Sequence, residues 1–157
     1  MNRRTAIKQL FIVAGGIVIA SSCSTDSNSA SIQLNQIKLK ASDELLLSNL
    51  VEAIIPETDS PGGKTMNLHL FVMKMLDDCY SEADQQAFLQ GLEKAHKNLK
   101  VGNEVTYLSA LPEDDVFKNI LKRRTIQGYL NSEYVMKNKL VYELVPARYD
   151  GAVKIEA

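Results

Sequence analysis

Tryptophan is absent from the 157 residues, and cysteine and histidine occur only twice each. Two cysteines allow one disulfide at most. They leave no cluster for an iron–sulfur centre and no C-x-x-C-H for covalent haem. With His69 and His96 as the only histidines, no H-E-x-x-H zinc motif can be written. G-x-G-x-x-G, the P-loop and G-x-S-x-G are also missing, which removes the dinucleotide fingerprint, the phosphate cradle and the nucleophile elbow. The net charge of -1 lacks the basic excess that nucleic acid binding requires. The apolar run Leu10–Ala20 is 11 residues long, short of the ~20 that span a bilayer as a helix.

What is present begins with that run. Arg3, Arg4 and Lys8 precede it, and small residues lead from it to Cys23. A charged start, a short apolar core and a small-residue exit are the parts of an export signal. "NRRTAIK" resembles the twin-arginine consensus, with Ala6 where Phe is usual. "ASSC" resembles a lipobox, in which Cys23 takes a diacylglyceryl group and becomes the mature N-terminus. Removing residues 1–22 takes Arg3, Arg4 and Lys8 away and leaves a charge of -4. "STDSNSAS" follows, polar and low in complexity, as a tether should be. The expected organisation is a signal over 1–22, a tether over 23–41 and one helical domain over 42–157. "IQLNQIKLK" alternates apolar and polar residues and reads either as a short extended stretch or as part of the tether.

The remainder carries helical periodicity. Ser42 is the expected N-cap of a first helix, with Asp43 and Glu44 in its first turn. Leu46, Leu47, Leu50, Val51, Ile54 and Ile55 form its apolar stripe, and Pro56 closes it. "PETDSPGGK" is a loop rich in turn residues. A second helix places Leu68, Phe71, Val72, Met75 and Leu76 on one face. Ser81 and Asp84 predict a capping box for a third, carrying Phe88, Leu89, Leu92 and Leu99 and stopped near Gly102. Pro112 is the expected first residue of a fourth helix, with Val116, Phe117, Ile120 and Leu121 inward and a break at Gly128. A short helix resumes after Ser132 and ends by Pro146. The class is all-α, a compact bundle of four to five helices.

No residue set selects itself as a catalytic centre. Met66, Met73 and Met75 read as core filler, His69 as a boundary histidine and Cys79 as a buried small hydrophobe. The acidic pairs Asp77–Asp78 and Glu113–Asp115 fall at helix ends, where turn and dipole account for them. Arg124 lies about one turn past Ile120 on the apolar line, so its charge must be paired, within the chain or by another chain. The stretch 125–151 is rich in tyrosine (Tyr129, Tyr134, Tyr142, Tyr149), which fits either the rim of a core helix or an interface.

Two of these stretches, with the leader, resemble the small subunit (subunit 3) of membrane-bound gluconate 2-dehydrogenases and related sugar dehydrogenases. "LVEAIIPETDSPGGK" resembles the family loop at Ile54, Ile55, Pro56, Thr58, Asp59, Pro61 and Gly62. "TIQGYLNSEYVMKNKLVYELVPARYDG" resembles its C-terminal segment at Gly128, Tyr129, Ser132, Glu133, Val145, Pro146, Tyr149 and Gly151. Gly63 and Ala147 depart from the family's Ala and Gly. Ala152 stands where a Cys often follows Gly151, so a bridge to Cys79 has no second half. The resemblance implies a non-catalytic accessory subunit with no cofactor of its own. FAD would sit in a large dehydrogenase subunit, and haem c in a cytochrome subunit. The small subunit would lend its twin-arginine signal to the flavoprotein and stabilise it on the periplasmic side of a membrane. Pro56, Thr58, Asp59, Pro61, Gly62, Arg124, Gly128, Tyr129, Ser132, Glu133, Pro146 and Tyr149 are the expected partner-facing residues. The alternative is a stand-alone helical envelope lipoprotein acting as a binding module.

Overall fold

Proline 56 has no amide to donate and disfavours helix in the residue before it, so the first helix, α1 (Ala41–Ile54), ends two residues ahead of it. A computed structural model describes residues 28–100, 102–140 and 152. Arg3, Arg4, Cys23, Pro146 and Tyr149 lie outside the described residues. Among the described residues five more helices follow: α2 (Leu68–Cys79), α3 (Glu82–Asn98), α4 (Glu104–Ala110), α5 (Val116–Leu130) and α6 (Glu133–Asn138). The domain is all-α among the described residues, as the periodicity predicts. The extra helix beyond the expected four or five is α4, seven residues long with none buried, too short and too exposed to leave a periodic trace.

The helix starts show which local rules hold. Ser81 caps α3, its Oγ accepting from the Asp84 amide at 3.3 Å. Ser132 caps α6 by accepting from the Val135 amide at 3.3 Å. Two expectations are corrected. Lys40, not Ser42, is the N-cap residue of α1, and the Asp43 carboxylate accepts its amide at 2.8 Å. α5 starts at Val116 rather than Pro112, because Asp115 caps it by accepting from the Lys118 amide at 2.8 Å. Pro112 to Asp115 form a turn ahead of it.

α5 is the central post and packs against α1, α2 and α3. Glycine sets two of those approaches. A Cβ on Gly91 would overlap the Phe117 side chain, so α3 and α5 touch there. The Phe88 and Phe117 rings lie beside the notch with centroids 4.8 Å apart. A Cβ on Gly128 would meet Phe71 Cδ1 at 2.9 Å and Leu68 Cδ2 at 3.4 Å. Gly128 therefore does not break α5: it is the notch that receives α2. The core is Leu47, Leu50, Val51, Leu68, Val72, Met73, Leu76, Phe88, Leu92, Phe117 and Leu121 with their neighbours. The buried arc of α2 is rotated from the expected one, taking in His69 and Met73 while Phe71 and Met75 are half-buried. Cys79 is exposed, not buried, since it sits in the last turn of α2 at the edge of that arc.

Residues 28–40 correct the expected tether. They form an extended arm that folds back on itself through an antiparallel contact between Ser29 and Lys40 and docks on the bundle. Ile37 and Leu39 are buried, and Ile32 and Leu34 pack against the core. Burying such side chains contributes about 1.5–3 kcal/mol each, enough to hold the segment down. Two carboxylates fix its backbone. Asp77 accepts the amides of Asn35, Gln36 and Ile37 at 2.8, 2.7 and 3.0 Å. Glu44 accepts the Ser31 amide and hydroxyl, both at 2.6 Å. Gln85, also buried, closes the C-terminus of α2 by donating to the carbonyls of Leu76, Asp77 and Tyr80.

Candidate partner-binding surface

The loop after α1 is clasped at both limbs by one side chain, Glu52. Its Oε1 accepts the Glu57 amide at 2.9 Å and its Oε2 the Lys64 amide at 2.8 Å, so one carboxylate spans both limbs. The glycine pair lets the chain come this close. A Cβ on Gly62 would stand 2.6 Å from both Glu52 oxygens, and one on Gly63 2.5 Å from the Val51 carbonyl. The Gly63 amide donates to the Ile55 carbonyl at 2.8 Å, and Thr65 donates its hydroxyl to Glu57. Asn67, in the left-handed conformation at φ 53, turns the chain into α2. The outcome is a fixed loop whose tip, Pro56 to Asp59, is exposed, while Gly62 and Gly63 are buried beneath it. Glu52 escapes sequence reasoning because its partners are distant backbone amides, which leave no pattern.

The second expected stretch is a helical corner. Gly128 is buried against α2, Tyr129 is half-buried, and Ser132 caps α6. Glu133 is exposed and pairs with Lys137 one turn on, at 2.6 Å. Leu68 connects the two stretches: its amide donates to the Gly63 carbonyl at 2.9 Å, and its side chain faces Gly128. Large apolar side chains stay uncovered in this stretch, with Ile126, Leu130 and Leu140 at 38%, 54% and 53% exposure. Arg124 is paired internally. Its Nε donates to the Tyr80 hydroxyl at 2.8 Å and its guanidinium lies 4.9 Å from the Tyr80 ring centroid. A cation over an aromatic face is stabilised without a carboxylate, which resolves the alternatives left open for this residue.

Several titratable groups elsewhere are engaged by the fold. Burial acts to raise the Asp77 carboxyl, but its three amide donors outweigh that and hold it below the usual carboxylate range. His69 is pushed below the usual imidazole range by burial, which prevails over the Glu44 carboxylate 3.6 Å from its Nε2. Its Nδ1 is buried without a hydrogen-bond partner among the described residues. His96 contacts Asp43 at 2.8 Å and ties the end of α3 to the start of α1. Lys118, largely buried, donates to Glu113 and to the Leu111 carbonyl. Beside it a shallow cleft of about 370 Å³ runs between α1, α4 and α5, floored by Ala53, Ile54 and Leu108. Among the described residues no group of three His, Cys, Asp or Glu side chains is placed to hold a metal ion, and no helix is long and apolar enough to cross a membrane.

Residues 41–114 match the family described as gluconate 2-dehydrogenase subunit 3. The matched stretch runs from α1 to the turn ahead of α5, so it holds the Pro56–Lys64 loop and stops before the Gly128 corner. No curated protein and no solved structure matches the chain.

Proposed function

We propose that this chain is the non-catalytic small subunit of an FAD-dependent sugar or sugar-acid dehydrogenase complex, which it escorts through twin-arginine export and stabilises at the membrane. The observation that carries the reading is the Pro56–Lys64 loop. It lies inside the family match, and Glu52 with the glycine pair holds its exposed tip in one shape. A loop fixed before contact loses little conformational freedom on binding, which suits recognition of a partner. The uncovered apolar residues Ile126, Leu130 and Leu140 supply area of the kind that a stable subunit contact buries. Flavin chemistry belongs to the large subunit and onward electron transfer to a cytochrome c subunit. Arg3 and Arg4 address the folded pair for export, and an acylated Cys23 retains it on the periplasmic side.

The test is co-expression with a tagged flavoprotein subunit. Arg3→Lys/Arg4→Lys in this chain should leave both polypeptides in the cytoplasm. Export of active flavoprotein while only this chain is retained would refute the escort role.

A further inference from the structure

The docked arm changes what an anchor at Cys23 would do. Only residues 24–27 separate Cys23 from Asn28, where the arm is already joined to the body by the Ala41 amide donating to the Asn28 carbonyl at 3.1 Å. Even fully extended, the chain from Cys23 to Asn28 spans no more than about 18 Å. Had the whole of 23–41 been flexible, the body would roam far from the bilayer. With residues 28–40 clamped by Asp77 and Glu44, it cannot.

We propose that the arm and the first turn of α1 form a membrane-seating face, held against the bilayer surface by the short link to an acylated Cys23. The inference rests on the anchoring reading above. The chemistry of the face fits a lipid surface. Lys38 and Lys40 are exposed on the arm, and Leu45, just past the first turn of α1, is 60% exposed. The carboxylates at the same end are half-buried and bonded within the chain, Asp43 to His96 and the Lys40 amide, and Glu44 to Ser31 and His69. Exposed ammonium groups beside an aliphatic side chain, with the nearby carboxylates engaged by hydrogen bonds within the chain, suit anionic headgroups. The geometry also orients the molecule. The arm is attached at the 40–44 end of α1 and the Pro56–Lys64 loop at the 51–55 end, and α1 is about 21 Å long. The partner loop is thus presented away from the bilayer, toward a soluble flavoprotein.

The test uses the full chain, processed in cells, purified and reconstituted into vesicles of phosphatidylethanolamine and phosphatidylglycerol carrying a headgroup nitroxide. A fluorophore is placed on Lys38→Cys or on Asp59→Cys, each in a Cys79→Ser background. The nitroxide should quench the label at position 38 at least about twofold more than the label at position 59. A Gly/Ser insertion of about 20 residues between Ser27 and Asn28 should remove that difference. An intact mass showing no diacylglyceryl group on Cys23 would overturn the anchoring reading itself. A lipidated chain whose two labels are quenched equally would overturn the seating face and leave anchoring intact.

Discussion

The arm and the loop are both irregular segments pinned by a carboxylate that accepts backbone amides, yet they serve opposite ends. Asp77 is buried and takes three consecutive amides of an arm that delivers Ile37 and Leu39 into the core. Glu52 is half-buried and takes one amide from each limb of a loop whose tip contributes nothing to the core. The same chemistry stabilises the body in one place and fixes a surface shape in the other. A carboxylate clamp therefore reports stability only when apolar burial accompanies it.

The largest expected effect follows from the arm. Asp77→Ala strands three amides near the core and should lower unfolding free energy by about 3 kcal/mol, read as a shifted urea midpoint. The folded-state pKa of Asp77 is depressed, so its contribution is present above the ordinary carboxylate range and is lost as pH falls through the folded value. Wild type and variant should converge in strong acid. Next is Gly63→Ala, which drives a methyl group to within 2.5 Å of the Val51 carbonyl and should cost about 2 kcal/mol. An unchanged midpoint would mean that the loop is not pressed on α1. Glu52→Ala should cost only about 1 kcal/mol globally. Its mark is local: amide exchange at Glu57 and Lys64 should accelerate while core amides stay protected.

The smallest effect separates His69 from both clamps. Its folded pKa lies below 6.5, so the unfolded chain binds the proton more readily. Stability should fall as pH drops below about 6.5, a window above the carboxylates. His69→Asn should flatten the midpoint between pH 7.5 and 5.5, and an equal slope in wild type and variant would contradict the assignment.

What was legible in the sequence was local. Pro56 marks the end of α1, Ser81 and Ser132 cap their helices, and the apolar spacing gives the all-α class. What was not legible depends on contacts across the chain. Gly128 looks like a breaker because its Cβ-less face matters only where Phe71 approaches it. Asp77 looks like an ordinary helix-end acid because its partners lie some forty residues upstream. Cys79 looks apolar enough to bury, but the helix ends before the core can cover it. The polar content of residues 28–40 resembles a tether, while four alternate apolar residues carry the docking. The site was half legible. The loop carries a motif, whereas Glu52, which shapes it, carries none. Arg124, a charge on the apolar line, demands a partner, which Tyr80 supplies.

Capture of the tagged chain from cells co-expressing the flavoprotein subunit, followed by an absorbance spectrum of the eluate, probes the division of labour most directly. Wild type should elute with a second polypeptide and a flavin spectrum, and Asp59→Arg at the loop tip should lose both while the chain stays folded. Flavin colour or sugar-acid oxidation by the small chain on its own would contradict the account.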